Sequence, residues 1–179
     1  MNARALLVSV ALLFAPAAAA AQNTPVSIHG AAGTNLTGGG HSLSASLGLA
    51  AGQHVEFLIS AERNHLPTDV DRFVDGFSAT RGGTTTFVSG EVHFLPLTFR
   101  RISPYGLVGI GRGTSRPNVN ELFPNVVEND ATMFFAGGGV RFPITNRFSA
   151  FVDVRFVMQE EAGELGAFNP IRGGVTWRF

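Results

Sequence analysis

The sequence contains no cysteine and no lysine, and its formal charge is zero. Without cysteine there is no disulfide framework and no thiolate metal site. That absence suits a chain that crosses an oxidising compartment unfolded, where a stray thiol is a hazard. All thirteen basic residues are arginine, and they are scattered rather than gathered into a tract, so nucleic acid is not an expected partner. Past the first twenty-one residues no apolar run approaches the roughly 20 residues a membrane helix needs. If the protein lies in a membrane, it must do so as a closed barrel, the other structure that satisfies every backbone hydrogen bond in lipid.

What is present begins with a leader. Arg4 supplies a basic start, Ala5 to Phe14 an apolar stretch, and Ala15 to Ala21 a small-residue exit with several A-x-A choices. Residues 1–21 are expected to be a cleaved signal peptide. The remainder, 22–179, is about 158 residues and of single-domain size.

Read with period two, that remainder is a series of strands. The last nine residues, I-R-G-G-V-T-W-R-F, place Ile171, Gly173, Val175, Trp177 and Phe179 on one face and Arg172, Gly174, Thr176 and Arg178 on the other. Residues 25–35 set Val26, Ile28, Gly30 and Ala32 against Ser27, His29, Ala31 and Gly33. Residues 41–51 oppose Leu43, Ala45, Leu47 and Leu49 to Ser42, Ser44, Ser46 and Gly48. Gly52-Gln53 reads as a two-residue hairpin turn. Residues 54–64 then set Val55, Phe57, Ile59 and Ala61 against His54, Glu56, Ser60 and Glu62.

Further strands are expected over 84–95, 104–113, 131–142 and 148–158, with a last loop from Gln159 to Asn169. For 104–113 the facing is open; Tyr105, Leu107 and Gly109 outward would send Val108, Ile110 and Arg112 inward. The total is eight strands of about ten residues, the length a tilted strand needs to cross the hydrocarbon layer. Longer polar connections alternate with short turns. The longer ones are net acidic, with Asp69, Asp71, Asp75, Glu121, Glu128, Glu160, Glu161 and Glu164, whereas the short turns carry Arg100, Arg101 and Arg147.

P-Y-G-L-V-G-I-G at 104–111, G-G-G-V-R-F-P-I at 137–144, V-D-V-R-F at 152–156 and the terminal V-T-W-R-F resemble the OmpA/OmpX/Ail-like family of outer-membrane barrels. The resemblance implies an all-β, eight-stranded antiparallel transmembrane β-barrel with short periplasmic turns and longer extracellular loops. It also implies export through the periplasm to the bacterial outer membrane. The expected partners are outer-membrane lipids and lipopolysaccharide, periplasmic chaperones and the outer-membrane assembly machinery, which would read Val175, Trp177 and Phe179 as its signal. The expected state is a monomer. No peptidoglycan-binding domain follows in this sequence, so the anchoring role of the OmpA type is not expected.

An eight-stranded bore is just wide enough for side chains to fill. The inward set holds Glu56, Glu62, Glu91 and Asp153 with Arg141, Arg155, Arg172 and Arg178. Buried charges must pair, so a lumen network plugging the barrel is expected ahead of a conduction path. His54, Glu56, Glu91 and His93 could ligate zinc; pairing with arginine is the ordinary alternative, and no metal or cofactor is assigned.

Outer-membrane lipid A deacylases carry Ser and His two apart on one strand face with an acid. The close pairings read from the sequence, His41 with Ser42 and His41 with Ser44, lie on opposite faces, so the geometry a nucleophile and its base need is expected to be missing. A lumenal pocket lined by Phe87, Met133, Phe135 and Phe151 would suit a small apolar ligand, though packing explains the same residues. A soluble carrier barrel would be apolar inside and polar outside, the reverse of this pattern. The expectation is a non-enzymatic structural or surface-interaction protein. A narrow channel or small-ligand binder is the alternative, with a lipid-modifying enzyme behind it.

Overall fold

The computed structural model describes residues 25–36, 39–67, 82–95, 102–118, 128–161 and 164–179. The expected signal peptide lies outside them, as do Asp69, Asp71, Asp75, Arg100, Arg101 and Glu121. Among the described residues nine strands are present: β1 (Val26–Asn35), β2 (His41–Ala51), β3 (Val55–Leu66), β4 (Gly83–Phe94), β5 (Ser103–Pro117), β6 (Asn129–Pro143), β7 (Phe148–Glu161), β8 (Glu164–Phe168) and β9 (Pro170–Arg178). Each pairs antiparallel with its chain neighbour, except that β8 and β9 both pair with β7 as two lengths of one stave interrupted at Asn169. β9 also pairs with β1, from Ser27 opposite Arg178 to Asn35 opposite Pro170, and closes the sheet. The result is an eight-stave up-and-down barrel, which leaves no free edge along its closed wall.

Side chains sort by face as a lipid-embedded barrel requires. Leu43, Leu47, Phe57, Val88, Val152 and Val175 are exposed on the outer wall. A band of aromatics, Phe94, Phe142, Trp177 and Phe179, is exposed near the end with the short turns, and Phe148 packs 6.3 Å from Trp177. Apolar belts edged by aromatics are the outer surface of membrane barrels.

Three expectations need correction, and the facing left open for β5 is decided: Tyr105 and Leu107 are buried in the bore, while Val108, Ile110 and Arg112 point out. Its alternate glycines decide this, because a Cβ on Gly109 would collide with the Phe135 ring; the glycines take the crowded inner face and leave the branched residues outside. The turn after β2 has three residues, Gly52 to His54, since Ala51 pairs with Val55 and Gly52 adopts a φ of 79°. His54 is therefore not on the inner face; its Nδ1 lies 2.9 Å from the Leu95 carbonyl.

The expected last loop is mostly strand, because Val157 to Glu161 pairs with Glu164 to Phe168. Finally, β5 and β6 run on through Thr114–Pro117 and Asn129–Asp130, where the sequence pattern predicts a connection. Both extensions rise past the apolar belt, where strand residues are polar and lose the period-two signal. β5, β6 and β7 consequently have 15, 15 and 14 residues against 10 and 11 in β1 and β2, so one side of the barrel is taller.

Candidate functional site: the lumen

The bore is layered. Its middle holds Asp153, Arg155, Arg172, Glu62 and Glu91, all inward because their neighbours two residues away face inward too. Arg172 donates through Nε and Nη2 to the two oxygens of Asp153, at 2.9 and 2.8 Å, and through Nη1 to Glu62 at 2.9 Å. Arg155 grips both oxygens of Glu91 at 3.1 and 2.7 Å. Such fork-to-fork pairs are the strongest hydrogen bonds a side chain makes. The Tyr105 hydroxyl completes the Asp153 carboxylate at 3.0 Å. These links cross the bore from β9 to β3, β7 to β4 and β5 to β7.

Toward the loop end the lumen turns apolar. Phe87, Met133, Phe135, Val157 and Phe168 are buried in one cluster, and the Arg155 guanidinium lies 4.8 Å from the Phe135 ring centre. Toward the turn end, Glu56 is the hub. Its Oε2 accepts from Arg141 at 2.7 Å, and its Oε1 from Ser27 at 2.6 Å and His29 at 3.1 Å. Gly48 sits directly opposite Ser27; a Cβ there would meet Glu56 Oε1 at 3.0 Å and His29 Nε2 at 3.1 Å. His93 contacts Glu91 at 3.2 Å and stacks on Tyr105 at 5.1 Å.

The lumen thus brings together Glu56 with Arg141, Glu91 with Arg155, and Asp153 with Arg172. Arg178 faces inward at the turn end, half-buried, with no carboxylate paired to it among the described residues. Val175, Trp177 and Phe179 line the outer face of β9. The four residues weighed for zinc do not gather: Glu56 turns to His29, Glu91 to His93, and His54 stands apart. Among the described residues no three His, Cys, Asp or Glu converge as a metal site.

Three contributors lie beyond what period two reveals. Tyr105 enters the bore with the inward facing of β5. Ser27 and His29 share the inner face of β1, two apart, and only the fold sets Glu56 of β3 beside both.

Ser27 Oγ at 2.9 Å and Glu56 Oε1 at 3.1 Å both lie at His29 Nε2, and Thr176 Oγ1 lies 3.0 Å from Nδ1. In a serine–histidine–acid triad the serine and the acid sit at opposite ring nitrogens, so this trio differs from that arrangement.

No family model matches the sequence, and no curated protein matches it. Solved structures do match. The N-terminal β-barrel domain of Pseudomonas aeruginosa OprF aligns with TM-score 0.58 at 17% identity, over 87% of this chain and 97% of that one. Neisserial surface protein A aligns with TM-score 0.65 at 11% identity, over 87% and 97%. Ail, the attachment invasion locus protein of Yersinia pestis, solved with the heparin analogue sucrose octasulfate, aligns with TM-score 0.52 at 16% identity, over 87% and 99%. With its closed antiparallel wall, apolar exterior and filled bore, this chain has the fold of the eight-stranded outer-membrane β-barrels.

Proposed function

We propose that the protein is a non-enzymatic β-barrel of the bacterial outer membrane, with its short turns in the periplasm. Its longer connections face outward in a structural or surface-interaction role. The observation that carries this reading is the polarity of the wall: an apolar belt outside and a paired charge network inside. Bilayer lipid and lipopolysaccharide would surround the belt. Periplasmic chaperones and the assembly machinery would deliver a monomer, reading Val175, Trp177 and Phe179.

The test is fractionation of cells expressing the full sequence. Folded protein, recognised by its altered gel mobility when unheated, is expected in the outer membrane, and its long connections should be cut by protease added to intact cells. Recovery as a soluble periplasmic protein would overturn the reading. The apolar cluster of Phe87, Met133 and Phe135 favours a small apolar-ligand binder as the second reading, ahead of a narrow channel. The placement of Ser27 and Glu56 at the same nitrogen of His29 argues against a lipid-modifying enzyme.

A further inference from the structure

The charges of the lumen balance overall but not layer by layer. The middle layer sets three carboxylates, Glu62, Glu91 and Asp153, against two guanidiniums, Arg155 and Arg172. The turn-end layer sets Glu56 alone against Arg141 and Arg178. Arg141 is 96% buried, yet among the described residues its Nε and Nη1 have no hydrogen-bond partner, and Arg178 Nε has none either. Buried guanidinium nitrogens left unpaired are costly, and both of Glu56's oxygens are already engaged by Arg141, Ser27 and His29.

Beside this excess of positive charge lies a cavity of about 330 Å³ at the turn end of the bore. Arg178, Glu56 and Gln53 supply its polar wall, and Pro25, Val55 and Leu95 an apolar one. That volume falls in the range of small-ligand sites, which combine apolar walls with a few placed polar groups.

We infer that this cavity binds a small organic anion, a carboxylate on a short apolar body, with Arg178 as its principal contact. The carboxylate takes the guanidinium of Arg178 as a charge-assisted partner. The apolar body lies against Val55 and Leu95, and Glu56 sets an upper limit of one negative charge on the ligand. The site is separate from the apolar cluster at the other end of the bore. It does not depend on the surface role proposed above.

The test is solution NMR of the purified full-length protein, folded in detergent micelles and titrated with benzoate and, separately, with inorganic phosphate. Saturable shifts are expected at the amides of Val55, Leu95 and Arg178 with benzoate, and much weaker ones with phosphate. R178Q should weaken benzoate binding about tenfold or more, as loss of one charge-assisted hydrogen bond predicts, while R178K retains most of it. Both variants are checked for folding by their unheated gel mobility, with R147A as a control for surface charge. Equal benzoate affinity in wild type and R178Q, shifts confined to other regions, or phosphate binding as strong as benzoate would overturn the assignment.

Discussion

Asp153 on β7 and Arg172 on β9 stand directly opposite each other in register and share two hydrogen bonds, at 2.9 and 2.8 Å. Because the pair is buried, Asp153→Ala leaves Arg172 with Glu62 and Ser44 and takes the acceptor from the Tyr105 hydroxyl. Asp153→Ala should destabilise the barrel by about 1–3 kcal/mol. Asp153→Ala with Arg172→Ala should cost less than the sum of the single changes, with a coupling of about 0.5–3 kcal/mol. Urea unfolding from lipid vesicles measures both, and strict additivity would mean that the two charges do not depend on each other.

The glycines of β4 and β5 give a direct test of facing. Gly109→Ala drives a methyl into the Phe135 ring, whereas a methyl at Gly90 meets nothing within 4 Å. Gly109→Ala should destabilise by about 1–3 kcal/mol, and Gly90→Ala should be close to neutral. The reverse order in the same unfolding assay would turn β5 inside out.

Ile110 lies on the outer wall, 55% exposed. Ile110→Arg should cost up to about 2–4 kcal/mol in vesicles, the penalty for an arginine near the bilayer midplane. The cost should shrink in detergent micelles, which deform around a charge. An equal cost in both would place Ile110 away from lipid.

Arg155→Ala is a different kind of change from Val152→Arg, although the two positions are three apart. Val152 is exposed on the outer wall, so its substitution carries the lipid penalty. Arg155→Ala would take the guanidinium from the buried Glu91 carboxylate and leave it His93 and Ser89, and a broken buried pair costs about 3–5 kcal/mol. From the facing alone Val152→Arg reads as much the worse change. With Glu91 held at both oxygens, the two are expected to be comparable. A benign Arg155→Ala would mean that the pair is dispensable.

The bore should not conduct like a general porin, since porins use about 16 strands to leave an aqueous channel. Single-channel recording of refolded protein should be silent for the wild type, with small openings in Asp153→Ala and Arg155→Ala. Large steady wild-type conductance would refute a plugged lumen.

Much of this was legible in the sequence where lipid dictates the residue. Leu43, Leu47, Val152 and Val175 alternate with small or polar partners because one face meets hydrocarbon and the other the bore, and each faces outward as read. The pattern fails where that contrast fades. On β5 both faces carry glycine or an apolar residue, so hydropathy gave no preference, and the deciding fact was the Phe135 ring arriving from β6. Beyond the belt, Thr114 to Pro117 and Glu160 to Glu161 are strand without an apolar face. The individual ion pairs were also out of reach. Period two shows that Arg155 points inward, but the choice of Glu91 as its bidentate partner, with Glu62 more distant at 3.6 Å, depends on the stagger around the barrel.

The side-chain links that fill the lumen act mechanically as spokes. Arg172 to Glu62, Arg155 to Glu91 and Arg141 to Glu56 each tie staves that are not neighbours in the wall. An unbraced hoop of strands can flatten into an ellipse under lateral pressure with little change in its hydrogen bonds. A hoop tied across three chords cannot flatten without stretching a charged pair. The middle and the turn end of the barrel therefore resist flattening when the wall is squeezed from the side, whereas the loop end, filled by the apolar cluster, has no such charged chord among the described residues.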